Sequence, residues 1–396
     1  MSLIQIHMIQ NHAPSNLNRD DLGSPKTCYF GNVLRLRISS QCLKRSIRMS
    51  NEFRRLRGGI RTRRLAELIA EGMSEDVRKR VEKILDIGGI VPRRARSRSE
   101  ETESEAQGSK MLVFTTRSAI KEMRNLLAQA TKKELDEKEA AREFARIITQ
   151  HTAVPDMALF GRMLEPTQNE EKIWDDLNTT VEAAAQVAHA ISTHEAHPEI
   201  DYYVAVDDIL GKDPGAGYVD EAMFGSACYY KYFSISWDAL LENLRGFPGN
   251  KEHLAAHTIG SFIKAAALTT PTGKQNSFAA HNPPEAIMVE LRDNPLSYSN
   301  AFVNPVRATD TDLVTRSIMQ FVKYVKDIDA GYGKPTSRFW FSPNLRHRFV
   351  SDLSEKEDSE VKSLGSLDDL ISQVIGAINR ALSWDEARKT FVTEDA

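Results

Sequence analysis

An α+β fold is predicted, an antiparallel sheet interrupted by a long helical insert. Apolar and polar residues alternate with period two at the start of the chain, and helical periodicity replaces that pattern over residues 51–176. Alternation then returns between Tyr202 and Leu291. Strands and helices segregated in this way suit an antiparallel sheet more than a doubly wound parallel one. No internal repeat is visible, so a solenoid within one chain is not expected.

The elements follow in order. Ile4, Ile6 and Met8 alternate with Gln5, His7 and Ile9, as in a strand with one face on a core. His12 to Lys26 is polar and reads as a loop. Leu34, Leu36 and Ile38 alternate with Arg35 and Arg37, which aims both guanidiniums away from the buried face. Ser39 or Ser40 is placed to cap a helix from Gln41, on which Gln41, Lys44, Arg45 and Arg48 share one face and Leu43 and Ile47 the other. Ile120, Met123 and Leu127, then Ala141, Phe144, Ala145 and Ile148, carry the helical insertion over 51–178. Within it residues 93–110, dense in charge of both signs and poor in apolar residues, read as a solvated linker. An alanine-rich helix is expected over 179–199 and a protruding hairpin around Gly211 to Gly217. Lys251 to Leu268 and Ser366 to Leu382 read as further helices.

The chain has 396 residues, 55 acids and 52 bases, a net charge of -3. That average conceals a division. Lys26 to Arg64 holds twelve bases against one acid, Glu52, or +11, and the remainder carries -14. Cys28, Cys42 and Cys228 are odd in number and lack C-x-x-C spacing, which indicates neither a disulfide framework nor a zinc knuckle. With no leader pattern and no long apolar run, a soluble, cytoplasmic protein without membrane contact is expected.

Catalytic motifs are scarce. Asp20 and Asp21 are adjacent loop carboxylates that would serve a metal-dependent nuclease or simply turn the backbone. No third carboxylate stands at a matching spacing. His253 and His257 lie at i, i+4 without the glutamate of a zinc protease helix, and His189, His194 and His197 are looser still. No phosphate-cradling glycine loop and no nucleophile elbow is present. No catalytic residue, metal or cofactor is therefore assigned. The basic stretch is the informative feature: cations on one strand and the following helix can line a groove that grips a phosphate backbone without reading sequence. Tyr202, Tyr203, Tyr218 and Phe224, near the protruding segment, are of the types that stack on or wedge between bases.

Seven segments in one order resemble a known family. They are Ile4 to Asp21 (IQIHMIQNHAPSNLNRDD), Phe30 to Arg48 (FGNVLRLRISSQCLKRSIR), Ala158 to Met163, Ala188 to Asp208, Gly273 to Pro284 (GKQNSFAAHNPP), Pro295 to Phe302 and Ala330 to Gly333. The chain resembles the CasC family, the crRNA-binding backbone subunits of the type I-E CRISPR Cascade, within the Cas-seven superfamily. The resemblance spans most of residues 1–335. The linker and the residues after Lys334 depart from the pattern.

The resemblance implies a right-hand-shaped protein with an RRM-like (ferredoxin-like) antiparallel-sheet palm, helical fingers and a protruding thumb. Residues 1–50 and 229–335 would form the palm, 51–178 the fingers, 179–199 a palm helix, 200–228 the thumb and 336–396 a C-terminal extension with a terminal helix. It implies a non-catalytic subunit for antiviral defence that polymerises along a guide RNA as an open helical filament. The guide would be presented for pairing with a target DNA strand. Partners would be other copies of the chain, the large subunit CasA, the small subunit CasB, CasD and CasE, with a helicase-nuclease downstream. Matched to the family's motifs, Arg19, Lys26, Ser39, Gln41, Lys44, Arg48, Lys274 and Gln275 would face the RNA backbone. Met163, Tyr203 and Tyr218 would belong to a base-displacing thumb wedge, with Tyr203 standing where the family has Phe. Lys132, Lys133, Lys138 and Arg142 would touch DNA, although acids interleave them here.

This fits the physics of a guide of arbitrary sequence, which must be held by phosphate and ribose so that its bases stay free to pair. Two other readings stay open at the level of sequence: a metal-dependent, RNA-guided ribonuclease using Asp20 or Asp21, and a stand-alone RNA-binding protein.

Overall fold

In the computed structural model the described residues are 3–90, 111–130, 136–167, 173–205, 218–355 and 361–390. The chain divides into two compact units. The first comprises Met1–Arg54, Ala185–Asp238 and Ala256–Ala396, and the second Arg55–Ala184 and Ala239–Ala255. In chain order the first unit opens with β1 (Leu3–Ser15), β2 (Thr27–Phe30), β3 (Val33–Ile38) and α1 (Ser40–Met49). The second holds β4 (Gly59–Thr62), α2 (Leu65–Ile69), α3 (Glu75–Ile87), β5 (Val113–Thr116), α4 (Arg117–Ala130), α5 (Glu137–Gln150), α6 (Pro155–Phe160), β6 (Arg162–Met163) and β7 (Thr180–Val181). The chain continues through β8 (Ala185–Val187), β9 (Ala190–Ser192), β10 (Glu199–Ala205), β11 (Tyr218–Ser236), α7 (Trp237–Asn243), α8 (Lys251–Leu268), α9 (Gln275–Phe278) and β12 (Ala286–Arg292). It ends with α10 (Leu313–Tyr332), β13 (Ser337–Phe341), β14 (Lys362–Leu364), α11 (Leu367–Ile378) and α12 (Trp384–Thr390).

The first unit is built on a ten-stranded sheet in the order β14-β13-β12-β1-β11-β9-β3-β2, with β8 and β10 also paired to β11. All pairings are antiparallel except β13 with β14. The α+β class with an antiparallel-dominated sheet is therefore observed. β1 lies at its centre, Ile6 opposite Phe233 on one side and Val289 on the other. Because both faces are covered, the polar members of its alternation are buried too: Gln5, His7, Gln10 and His12. On one face Tyr230, Tyr298, Phe302, Phe321 and Trp340 form the core. There His7 Nδ1 and the Tyr230 hydroxyl share a hydrogen bond at 2.9 Å, and that hydroxyl accepts from the Tyr298 amide at 3.0 Å. Glu290 anchors an ion network beside it, with Arg338 Nε at 2.6 Å and Arg292 Nε at 2.9 Å.

Three expectations are corrected. Residues 179–199 hold no α-helix; they supply β7, β8 and β9. Alanine favours helix, but Ala185 and Ala190 are small enough to be buried in short strands against β11 and β3, and tertiary pairing overrides propensity. Residues 336–396 are no appendage, since β13 and β14 complete the sheet and α11 packs on β13. Arg35 does not point to solvent. It is 0% exposed, and its guanidinium donates to the carbonyls of Phe30, Ser192, Phe302 and Val303 at 2.7–3.2 Å. The Gly31 turn lies so close to the Val303 carbonyl that a Cβ would stand 1.8 Å from its oxygen, and Gly31 also has φ +63.

The second unit packs α3, α4 and α5 around Val81, Ile84, Met123, Leu127, Phe144 and Ile148. Two short two-stranded sheets, β4–β5 and β6–β7, accompany the helices. Asp156, at the start of α6, accepts the Gly59 amide at 3.0 Å and so holds β4 to it. Among the described residues no helix is long and apolar enough to cross a membrane.

Candidate nucleic-acid interface

The loop after β1 is a closed turn. The Asp20 amide donates to Ser24 O at 2.8 Å, and Asp20 Oδ1 accepts from the amides of Leu22 at 2.9 Å and Ser24 at 2.8 Å. This is an Asx-type closure, in which a side-chain oxygen replaces a backbone partner. Asn16 Nδ2 pins the turn from below by donating to Gly23 O at 2.9 Å and Met223 O at 2.8 Å. Asn18 ties it sideways, its Oδ1 accepting from the Ser39 amide at 2.8 Å. Arg19 is left exposed on the turn. Lys26 is fixed through its backbone, donating to Asn18 O and accepting from the Arg37 amide, both at 2.8 Å.

Helix α1 starts beside this loop. Ser39 has extended backbone, and its hydroxyl accepts from the Cys42 amide at 3.3 Å, which caps the helix as its position suggests. Leu43 and Ile47 are buried, Gln41 and Arg45 are exposed, and Lys44 is half-buried. The expected cationic face is shorter than its spacing implies, because Arg48 is only 9% exposed and already engaged within the fold.

The GKQ segment arrives from far away in sequence. A Cβ on Gly273 would stand 2.6 Å from both the Asn16 and Leu17 carbonyl oxygens, so only glycine lets this backbone rest on the end of β1. Arg19, Asp20, Asp21 and Gly273 line one recess of about 500 Å³. Lys274 takes a left-handed conformation (φ 46), and Gln275 Nε2 donates to Pro271 O at 3.0 Å. The structure thus brings Arg19, Lys26, the start of α1 and the GKQ segment into one neighbourhood of the first unit.

The remaining candidates are dispersed. Met163 is 70% exposed and lies in the second unit, and Tyr203 is 42% exposed on β10 of the first. Tyr203 donates its hydroxyl to Asp220 Oδ2 at 2.8 Å across the β10–β11 pair, and Tyr202 beside it is exposed. Tyr218 opens β11, opposite Ala205, and its side chain lies outside the described residues, as do Lys132, Lys133 and the segments 93–110 and 206–217. Lys138 and Arg142 are exposed on α5 among Glu137, Glu139 and Glu143, and Glu137 pairs with Lys83 at 2.6 Å.

Among the described residues no group of three His, Cys, Asp or Glu is placed to hold a metal. His189 Nδ1 accepts from the Ser40 amide at 2.8 Å, and His257 packs on the Trp384 ring. Sequence reasoning does not single out Asn18, which couples loop to helix.

A family model described as CT1975-like protein matches residues 4–373. Among solved structures, a chain titled "CRISPR RNA-guided surveillance complex, pre-nicking" is 26% identical at a TM-score of 0.75, with 95% of this chain and 99% of that chain covered. A second, titled "CRISPR RNA-guided surveillance complex", is 22% identical at a TM-score of 0.58 over 95% and 99% of the two chains, a likeness of fold. No curated protein matches the chain in sequence.

Proposed function

The chain belongs to the CT1975-like family, and on that premise we propose that it is a crRNA-binding backbone subunit of a CRISPR surveillance complex of the Cascade kind. The observation that carries this is the meeting of the Arg19 turn, Lys26, the capped start of α1 and the GKQ backbone in one neighbourhood of the first unit. These groups offer cations on a backbone fixed by its own hydrogen bonds, which suits a polyanion of arbitrary sequence. The likeness to a surveillance-complex chain over 95% of this one supports the same reading.

In finer detail we propose the type I-E CasC arrangement, with the first unit as an RRM-like palm and several copies along one guide, beside CasA, CasB, CasD and CasE. Arg19, Lys26, Gln41, Lys44, Lys274 and Gln275 hold phosphate and ribose. Ser39 and Arg48 act indirectly, the one by capping α1 and the other by seating its last turn. Tyr203 and Tyr218 of the first unit, and Met163 of the second, are each assigned to displacing a base from the pairing segments. The protein itself performs no bond chemistry.

Co-expression with guides of unrelated spacer sequence tests the proposal. Each guide should be retained in an assembly whose mass corresponds to several copies. Lys26→Ala with Lys44→Ala should weaken all guides alike and lower the salt slope by ~0.7 per lost phosphate contact. A loss that depends on spacer sequence, or a monomer on short RNA, would sink the reading.

A further inference from the structure

The ribbon formed by β10 and residues 218–224 of β11 carries four acids, Glu199, Asp201, Asp220 and Glu221, and no base. It rises beside the Arg19 turn. Asn16 Nδ2 donates to Met223 O at 2.8 Å, and the Ser24 hydroxyl donates to the Met223 sulfur at 3.1 Å. Carboxylates next to a surface given over to phosphates are repelled by them, so their place calls for a cationic protein surface. Asp220 takes the Tyr203 hydroxyl. Glu199, Asp201 and Glu221 are exposed and have no ion-pair partner among the described residues. Glu221 stands directly opposite Tyr202 in the register, and Ile200 lies two residues back on the same face. Tyr202 is 67% and Ile200 47% exposed. One face of the ribbon thus presents an aromatic ring flanked by an aliphatic side chain and a carboxylate.

The second unit holds the complement. Ile60, Leu68 and Ile120 line a recess of about 290 Å³ together with Arg117, Lys121 and Arg124. The three cations recur at i, i+4 and i+7 of α4 and so share one side of the helix. Arg124 is engaged by Glu71, donating to its carbonyl at 2.7 Å and to its carboxylate at 3.3 Å. Arg117 and Lys121 are exposed and have no ion-pair partner among the described residues. A nucleic-acid backbone would gain nothing from the apolar lining and would meet the Glu71 carboxylate. An aromatic ring suits this mixture better, because it buries apolar area and its face attracts a guanidinium or ammonium.

We propose that Tyr202 of one copy of the chain seats in this recess of the next copy, with Glu221 meeting Lys121 at its edge. The inference rests on the assembly along a guide proposed above and names the surfaces through which neighbours touch. Ribbon and recess belong to different units of every copy, so the contact is heterologous and repeats as an open array instead of closing a pair. One ring and its flanking residues bury less than the ~1,200 Å² at which stable interfaces begin. The contact therefore does not by itself hold guide-free copies together. The guide places neighbours at ~mM effective concentration, which lets the contact form and makes loading cooperative.

The test compares an RNA long enough for one copy with a guide that takes several. Wild type should fill the guide cooperatively. Tyr202→Ala and Lys121→Glu should each weaken that filling about tenfold per neighbour contact, as loss of an interface anchor does. Both should leave binding to the one-copy RNA and the melting temperature unchanged. Lys121→Glu combined with Glu221→Lys should restore cooperative filling, since every contact regains an opposed pair. Unchanged cooperativity in the two single variants, or no rescue in the combined one, would overturn the contact. So would a loss in Lys121→Glu that extends to the one-copy RNA or to DNA paired with the filled guide, which would assign the recess to nucleic acid. A wild type that binds neither RNA would defeat the guide-holding role instead. The contact is then read from sedimentation of the guide-free protein at ~mM concentration: self-association that Tyr202→Ala abolishes supports it, and a monomer throughout overturns it.

Discussion

The side-chain oxygen of Asn18 accepts the Ser39 amide at 2.8 Å, so one hydrogen bond joins the Arg19 turn to the cap of α1, twenty-one residues further along the chain. The turn that carries Arg19 and the helix that carries Lys44 and Arg45 are thereby held in fixed relation before any ligand arrives. Asn18→Ala should cost about 1 kcal/mol of stability, the usual net worth of such a bond. Guide affinity should fall by more than that loss implies, because turn and helix are then positioned independently. Parallel urea melts and guide-retention titrations check this, with equal effects in both as the contrary result.

Arg35 provides a prediction about folding rather than binding. Its guanidinium meets four carbonyls in a fully buried site. Arg35→Ala should destabilise by about 3 kcal/mol or more, since several acceptors lose a charge-assisted donor at once. Arg35→Lys should recover only part of this, because an ammonium cannot reproduce the planar fork. Denaturant midpoints of the two variants report it.

Asp20 separates the scaffold from a nuclease. Its carboxylate closes the loop by accepting two amides. Asp20→Asn, which keeps an acceptor oxygen, should preserve the loop and guide retention, while Asp20→Ala should cost about 1–2 kcal/mol. Neither the wild type nor the variants should cleave complementary RNA in magnesium. Cleavage abolished by Asp20→Asn would establish catalysis.

For the wedge, Tyr203→Ala should leave guide association within about twofold of wild type, because stacking at one exposed ring is local. The periodic protection of displaced bases should be lost. Tyr203→Phe keeps the ring and removes the hydroxyl that donates to Asp220, so its footprint should match wild type. Chemical footprinting of the guide distinguishes them, and an unchanged pattern in Tyr203→Ala would remove Tyr203 from the wedge.

The buried network predicts acid sensitivity. Burial, with Arg338 and Arg292 adding to it against Glu290, lowers His7 from 6.5 to about 3. Burial alone would raise Glu290, but Arg338, His7 and Arg292 outweigh it and hold the carboxyl below its ordinary value. Both folded-state values lie below the unfolded ones, so the stability they confer is present at neutral pH. The His7 share begins to be lost as pH falls below about 6.5 and is gone near 3. A tenfold change in proton affinity corresponds to about 1.4 kcal/mol, which makes the His7 share of order several kcal/mol. Chemical melts between pH 7 and 4 should show falling stability, less steeply in His7→Gln.

Period-two alternation over Ile4 to Ile9 identifies β1, and Ser39 is legible as a helix cap. What the sequence does not reveal depends on neighbours. Whether Arg35 points outward or inward is decided by Ser192 and Phe302, far along the chain. Ala185 and Ala190 look helical until β11 and β3 recruit them as strands. Arg19 and Lys26 are reached through motif resemblance, whereas Asn18 matters because of the Ser39 amide it accepts, which no local pattern encodes.

The central place of β1 has a consequence for biosynthesis. β1 leaves the ribosome before the strands it pairs with, Tyr218–Ser236 and Ala286–Arg292, which are translated more than two hundred residues later. At ~5–20 residues per second the wait before both neighbours exist is on the order of 15 to 60 s. During that interval the inserted second unit, whose strands pair locally and whose helices have their own core, can fold alone, while an apolar strand with two open edges waits for partners. Such a strand is a target for chaperones and for misassembly between nascent chains. Completion of the ten-stranded sheet would then be limited by how fast β1 finds strands made long after it.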